Sequence, residues 1–221
     1  MRRTLPLPAL LLAVAGAVVF LQPGMNDILV YDRAAIASGQ LWRLATGHLV
    51  HFSTSHVLWN LLVLVFAGWA LKDSARRGYG VMLFSASVMS GMALFLFQPS
   101  IVRYGGLSGL ATASVVYLCL VGMQWNNPAR WIWAMLLILT AVKITVEAAV
   151  GHPLFADPGV ARFELVPLVH LVGGVTAGLF WVVCVGMSWR KEVIFDRVAK
   201  SPFAAFCSSE SEKRGFRFPY K

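Results

Sequence analysis

The stretch Tyr104-Gly105-Gly106-Leu107-Ser108-Gly109 lies where a polar loop leads into an apolar run long enough to form a helix. The flanking glycines carry no Cβ, so the backbone can turn sharply and another segment can approach the Ser108 hydroxyl closely. A serine becomes a nucleophile only when a base takes its proton and donors stabilise the resulting oxyanion. The same pattern is also typical of close helix packing in glycine-rich membrane proteins. The partners that the chain supplies to Ser108 decide between these interpretations.

Composition places the chain in a membrane. It has 221 residues, of which 58% are hydrophobic and only 13% are charged, a balance that ordinary soluble domains do not have. Cys119, Cys184 and Cys207 form no spaced pair, so we expect no disulfide framework, no metal site and no cofactor. Six apolar runs each approach the length that a hydrocarbon core of ~30 Å requires of a helix. They are Leu5–Leu21, His56–Leu71, Gly80–Phe97, Gly109–Met123, Trp131–Val150 and Pro167–Met187. We therefore expect an all-α polytopic membrane protein with six transmembrane helices.

The net charge of +9 is a signal of topology rather than of nucleic-acid binding, and we expect no nucleic-acid partner. If the N-terminus is cytoplasmic, fourteen of the nineteen Lys and Arg residues lie on the cytoplasmic side and four on the other, while Lys143 lies within a span. Basic residues concentrate on the cytoplasmic side of membrane proteins. Both termini are therefore predicted to be cytoplasmic.

The two ends of the chain differ in character. We predict a membrane domain over residues 1–189 and a weakly ordered, basic cytoplasmic tail over residues 190–221 that could touch anionic lipid. The first apolar run, which follows Arg2-Arg3, also fits a cleaved secretory signal, although it is long enough to span.

Residues 22–55, between the first two predicted spans, form a segment far longer than a typical connection of about five residues. Apolar residues scattered through this outer segment predict short amphipathic helices in the interface.

Polar residues within the spans form two pairs with helical spacing. His56 and Asn60 lie four residues apart, so they share one face of a helix. Polar groups at that depth are costly unless paired, so this face is expected to look into the bundle, where the two residues could also simply cap or bridge helices. Lys143 and Glu147 have the same spacing and are interpreted as a mutually neutralising pair facing the bundle or the interface.

Topology brings the polar residues to one depth. Spans two, four and six all run inward from the outer face, and His56, Ser108 and His170 each lie within about the first turn of those spans. A serine and a histidine, with a second histidine and Asn60 beside them, can supply a nucleophile, a base and oxyanion donors. No acidic third member is evident, so the pattern indicates a Ser108–His170 dyad. The sequence does not identify the group that orients His170.

These motifs resemble those of the rhomboid intramembrane serine proteases, in the same order, over Leu41–Gly178. They are Trp42-Arg43, His51-Phe52-Ser53, His56-x-x-x-Asn60, Gly106-Leu107-Ser108-Gly109 and His170-x-x-Gly173. The resemblance implies a rhomboid-like bundle in which Ser108 is the nucleophile and His170 the general base. It also implies an oxyanion hole made of four groups: the His56 and Asn60 side chains and the N–H groups of Leu107 and Ser108.

The six-span form looks most like the bacterial rhombosortase branch of that family. This implies a protein of the bacterial inner membrane whose active site opens to the outer side. The substrates would be transmembrane segments of exported or membrane proteins, including C-terminal GlyGly-type sorting signals. The chain departs from the family pattern twice. Thr112 stands where many members have an aromatic residue stacked on the base, and Ala177 replaces a glycine of the sixth span. Gly174 and Gly178 of that span have the spacing for close helix contact and could substitute for it.

Two other classes of function fit parts of the sequence. A rhomboid-like protein that binds membrane helices without cutting them typically lacks the serine or the histidine, and this chain has both. A transporter or channel would explain the charged pair and the buried histidines. That class is favoured by inverted repeats or broken helices, which the sequence does not show. The oligomeric state is not indicated.

Overall fold

The structure is a computed structural model that describes residues 7–71, 78–124, 129–151, 154 and 166–199. Helices dominate this part of the chain. They are α1 (Leu7–Leu21), α2 (Pro23–Leu29), α3 (Arg33–Ala37), α4 (Arg43–Thr46), α5 (Thr54–Leu71), α6 (Tyr79–Phe97), α7 (Ser108–Gly122), α8 (Arg130–Val150) and α9 (Pro167–Ala199), with a 3-10 turn at Gly47–Leu49. Two short strands, β1 (Tyr31–Asp32) and β2 (Arg103–Tyr104), form an antiparallel pair.

The six predicted apolar runs all form helices, and their bounds differ little from the expected ones apart from the far end of α9. Within the described residues, α5, α6, α8 and the Pro167–Cys184 part of α9 are long and apolar enough to cross a membrane. The apolar helices α1 and α7 have 15 residues each and are shorter than the usual span. The chain is an all-α polytopic membrane protein, and the count of six spans stays a prediction.

A core of apolar side chains joins α1, α5, α6, α7 and the first half of α9. Large residues fill it and small ones allow the helices to approach; among its fully buried members are Ala9, Leu64, Met82, Leu110 and Ala177. Helix α8 differs, because its apolar side chains are mostly exposed, as at Trp131, Ile138 and Leu139. In a bilayer such a surface faces lipid.

Glycine makes the close contact between α7 and α9. A Cβ on Gly173 of α9 would overlap the carbonyl oxygen of Gly109 in α7, and a Cβ on Gly109 would lie 3.0 Å from the carbonyl oxygen of Val169. The sequence suggested Gly174 and Gly178 for this role, and that expectation was wrong. A Cβ on Gly174 would make only an ordinary 3.5 Å contact, and one on Gly178 would meet nothing within 4 Å. The two helices therefore cross at Gly109 and Gly173.

The outer segment folds as the predicted short helices, and buried polar contacts hold it in place. The Arg43 guanidinium is buried; its Nη1 donates to the carbonyls of Asp27 and Val30 at 2.9 and 2.8 Å, and its Nε donates to Gln40 Oε1 at 2.8 Å. Strand β1 pairs Tyr31 with Tyr104, just before the Ser108 loop. The outer segment and the loop that precedes Ser108 are thus one packed unit.

The predicted division at residue 189 stays a prediction. Contacts within the chain separate Met1–Trp181 from Val182–Lys221, and the packing described here belongs to the first unit. Helix α9 continues past Arg190 to Ala199, and the rest of the predicted tail lies outside the described residues.

We predict that Gly173→Ala destabilises the protein, because the new methyl group has no space beside the Gly109 carbonyl. Overpacking of this kind costs about 1–3 kcal/mol, so the thermal midpoint in detergent should fall. The matched control is Gly178→Ala on the same helix, where the methyl group meets open space. Equal midpoints for the two variants would contradict the assigned contact.

Candidate active site

A cavity of about 560 Å³ lies between α5, α7, α8 and α9, and apolar side chains make most of its wall. The polar residues that line it are His56, Asn60, Tyr104, Ser108, Thr112, Thr140, Lys143, Glu147 and His170. Four of the five predicted site residues therefore meet at one cavity, and Leu107 does not line it. His56, Ser108 and His170, which the predicted topology puts at one depth, all line this cavity.

Ser108 is the first residue of α7, and a tight turn presents it to the cavity. Gly106 has φ +139°, and a Cβ there would lie 2.5 Å from Cε1 of the His56 ring, so only glycine fits. The Tyr104 hydroxyl donates to the Gly106 carbonyl at 3.0 Å. Burial raises the pKa of Tyr104, so its hydroxyl remains a neutral donor. Thr112 Oγ1 donates to the Ser108 carbonyl at 2.9 Å.

His56 and Asn60 share one face of α5 and are both buried, as their spacing predicted. The neighbouring His51 ties this face to the Ser108 loop. Its Nε2 accepts hydrogen bonds from Asn60 Nδ2 at 3.2 Å and from the Leu107 N–H at 3.3 Å. The Leu107 N–H is thus bound to His51 rather than directed at the cavity. The sequence included His51 in a motif without giving it this role.

Two histidines of the outer segment are buried and hydrogen-bonded to backbone. His48 Nε2 lies 2.9 Å from the Ser87 carbonyl and its Nδ1 lies 3.3 Å from the Gly106 carbonyl. His51 Nδ1 lies 3.1 Å from the Leu49 carbonyl. Burial lowers the pKa of His48, and burial together with the nearby His56 ring lowers the pKa of His51 to about 3. In the described part of the chain, no group of three or more His, Cys, Asp or Glu side chains is arranged to hold a metal ion.

His170 lies in the first turn of α9 and is 3% exposed. Its Nδ1 is 3.4 Å from Glu147 Oε2 on α8. The same carboxylate pairs with Lys143 Nζ at 2.6 Å, as the spacing of these two residues predicted. No acidic partner of His170 was evident in the sequence, whereas the structure places Glu147 beside it. Helical spacing predicts partners on the same helix, such as Lys143 and Glu147, but not contacts between neighbouring helices.

The fold and the cavity define a polytopic helical membrane protein with a serine and a histidine at a buried polar site. Residues 38–188 match the Rhomboid domain, so the chain belongs to the rhomboid family. It is similar to the rhomboid protease GlpG of Photorhabdus laumondii, with 36% identity over 85 residues, 38% of this chain and 29% of that protein. It is also similar to the rhomboid protease GlpG of Serratia proteamaculans, with 37% identity over 86 residues, 38% of this chain and 30% of that protein. The alignments thus span less than a third of these relatives.

We predict that acid destabilises the protein through His51. The pKa of His51 is about 3 in the folded protein against an ordinary 6.5, so the unfolded chain binds the proton more tightly. The free energy of unfolding should therefore be highest above about pH 6.5 and fall by about 1.4 kcal/mol per pH unit toward pH 3. Thermal midpoints in detergent between pH 7 and 4 measure this.

The control for that series is His51→Gln, which removes the titrating ring. Its midpoint should depend less steeply on pH, with His48 supplying the remaining slope because burial lowers its pKa too. Identical slopes in both proteins would show that His51 does not titrate as described.

Proposed function

We propose that the protein is an intramembrane serine endopeptidase that hydrolyses peptide bonds in transmembrane segments of exported or membrane proteins, near the outer membrane face. The observation that carries the proposal is that Ser108, His170, His56 and Asn60, from three different helices, line one largely apolar cavity. Membership of the rhomboid family supports it, as does the name rhomboid protease borne by the two relatives.

The chemistry assigned to this cavity is acyl transfer. Ser108 Oγ attacks the carbonyl carbon of the scissile bond while its proton passes to His170 Nε2. The C–N bond then breaks, and His170 returns the proton to the leaving amine. A water molecule, deprotonated by His170, attacks the acyl carbon, the bond to Ser108 breaks, and His170 gives that proton back to the serine oxygen.

The oxyanion formed in each half-reaction needs donors within the cavity. We assign this role to the His56 and Asn60 side chains and to the Ser108 N–H. The N–H groups of a helix's first turn have no partner within the helix, and Ser108 is the first residue of α7. Each such donor contributes about 10²–10³ in rate. Leu107, a further donor in the sequence-based set, is left out because His51 binds its N–H.

The proposal includes six spans in a bilayer, with the short helices α1 and α7 crossing as well, and cytoplasmic termini. The distribution of basic residues supports this orientation. His56, Ser108 and His170 all lie at the starts of their helices, so this orientation opens the site to the outer side of a bacterial inner membrane. A substrate must bring its scissile bond to that depth.

Substrate choice follows from the helical state of a transmembrane substrate. A peptide bond within a helix is shielded by its own turn, so the helix must open locally before Ser108 can reach it. Opening costs up to ~1 kcal/mol less for each Gly that replaces Ala. In addition, only small side chains can approach the Gly105–Gly109 turn closely. For these two reasons we propose sites flanked by Gly, Ala or Ser, including C-terminal GlyGly-type sorting signals, as the resemblance to rhombosortases implies.

Covalent labelling tests the assigned nucleophile. We expect a fluorophosphonate probe to label the detergent-solubilised protein. Ser108→Ala should lose both labelling and proteolysis, and His170→Ala should lose proteolysis and be labelled much more slowly, while both variants still fold. These changes remove the nucleophile or the base without disturbing the helix crossing. If the unmodified protein bound a membrane helix but neither reacted with the probe nor cut the helix, it would instead be a non-catalytic rhomboid-like binding protein.

A reporter protein with a C-terminal tail tests the substrate. The tail carries a Gly/Ala/Ser cluster, one transmembrane segment and a few basic residues, and mass spectrometry maps the new C-terminus after co-expression. We expect cleavage within or beside the cluster, near the outer end of the span. Unchanged cutting after the cluster is replaced by Leu and Val would refute the requirement for local helix opening.

A further inference from the structure

Helix α8 buries one residue, and that residue is charged. Glu147 is 1% exposed, whereas every other residue of Arg130–Val150 is at least partly exposed. A helix that packs through hydrophobic contact buries Leu, Ile or Val first. A carboxylate costs free energy to bury unless it is paired and hydrogen-bonded. The burial of Glu147 is therefore explained by its partners rather than by packing.

Three groups contact the Glu147 carboxylate. Oε1 accepts a hydrogen bond from the Leu154 N–H at 3.1 Å. Oε2 lies 2.6 Å from Lys143 Nζ and 3.4 Å from His170 Nδ1. Both oxygens are therefore held, and Lys143, whose side chain is 30% exposed, balances the charge. Glu147 Oε2, although paired with Lys143, also faces His170 Nδ1.

The Nδ1 atom of His170 needs this carboxylate. It is fully buried, and within the described residues it makes no other polar contact. The Thr112 hydroxyl, which stands near the start of α7, is bonded to the Ser108 carbonyl instead. A neutral imidazole has one proton for two nitrogens. When Nδ1 holds that proton toward Glu147, the lone pair of Nε2 is left to act as a base.

We propose that Glu147 is the positioning residue of His170: it accepts the Nδ1–H, fixes the ring and its tautomer, and stabilises the imidazolium formed when His170 takes the proton of Ser108. This inference rests on the proposed protease function. A separation of 3.4 Å is long for a hydrogen bond, and such contacts often tighten when substrate binds. Lys143 pairs with the Glu147 carboxylate and lines the same cavity.

The competing explanation is that Glu147 only neutralises Lys143 inside the membrane. The two explanations differ for variants that separate charge balance from contact with His170. Glu147→Asp keeps the negative charge and the partner on α8 but withdraws the carboxylate by one carbon–carbon bond. The double variant Lys143→Met/Glu147→Gln removes both charges at nearly constant shape, so no unpaired charge remains buried.

The experiment measures kcat and KM for the tail reporter, the rate of fluorophosphonate labelling and the thermal midpoint. The proteins compared are the unmodified chain, both Glu147 variants, Ser108→Ala and Thr145→Val. The last is the matched control, because Thr145 is exposed on the same helix and its hydroxyl bonds only the Ala141 carbonyl. We expect Thr145→Val to behave as the unmodified chain.

For both Glu147 variants we expect kcat and the labelling rate to fall about 10²-fold, the lower end of what a general base contributes. KM and the thermal midpoint should stay close to those of the unmodified chain. Adding His170→Ala to either variant should then slow labelling no further than His170→Ala alone, because Glu147 acts through that ring. If kcat in Glu147→Asp or in the double variant stays within about threefold of the unmodified value, the positioning role is overturned and charge balance is sufficient.

A failure of the proposed protease function would look different. The unmodified chain would then neither cut the reporter nor take up the probe beyond the level of Ser108→Ala. If the unmodified chain is active, Ser108→Ala is inactive and the Glu147 variants retain full kcat, only the role of Glu147 is refuted.

Discussion

The contact between Gly173 and the carbonyl of Gly109 is the constraint on which the site depends. It leaves no space for a methyl group, so the first turns of α7 and α9 meet backbone to backbone. Ser108 precedes Gly109 directly, and His170 lies one turn before Gly173. Both residues are therefore placed by a contact that involves neither of their side chains. A methyl group at position 173 would have to push the first turns of α7 and α9 apart.

The outer segment supplies hydrogen-bond partners for the backbone of the loop that precedes Ser108. The loop before Ser108 lies beside apolar surface, where an unpaired backbone group costs free energy. The Gly106 carbonyl receives the Tyr104 hydroxyl and lies near His48, while the Leu107 N–H donates to His51. His48 and His51 precede α5 in the sequence. The turn that presents Ser108 is thus stabilised by side chains 58 and 56 residues away in the chain.

Hydropathy predicted the helices closely because burial in lipid leaves few other structures for an apolar run. Helical spacing likewise placed His56 and Asn60 on one face, and topology placed them at the depth of Ser108. The sequence missed what depends on helix rotation. It assigned the close crossing to Gly174 and Gly178, because spacing shows which residues share a face and not which neighbour that face meets. The Leu107 N–H, an oxyanion donor in the set that the family resemblance implied, donates to His51 in the structure.

The sequence contains a signal for the contact between Glu147 and His170. The spacing of Glu147 and Lys143 predicts only the pair on their own helix. Most other residues of α8 are apolar and exposed, so a charged pair on it must face the protein if the other faces meet lipid. Glu147 also lies within the last turn of α8. In the predicted topology span five runs outward, so that turn has the depth at which spans two, four and six begin. Depth and burial together therefore place this carboxylate beside Ser108 and His170, where a partner for the histidine ring is needed.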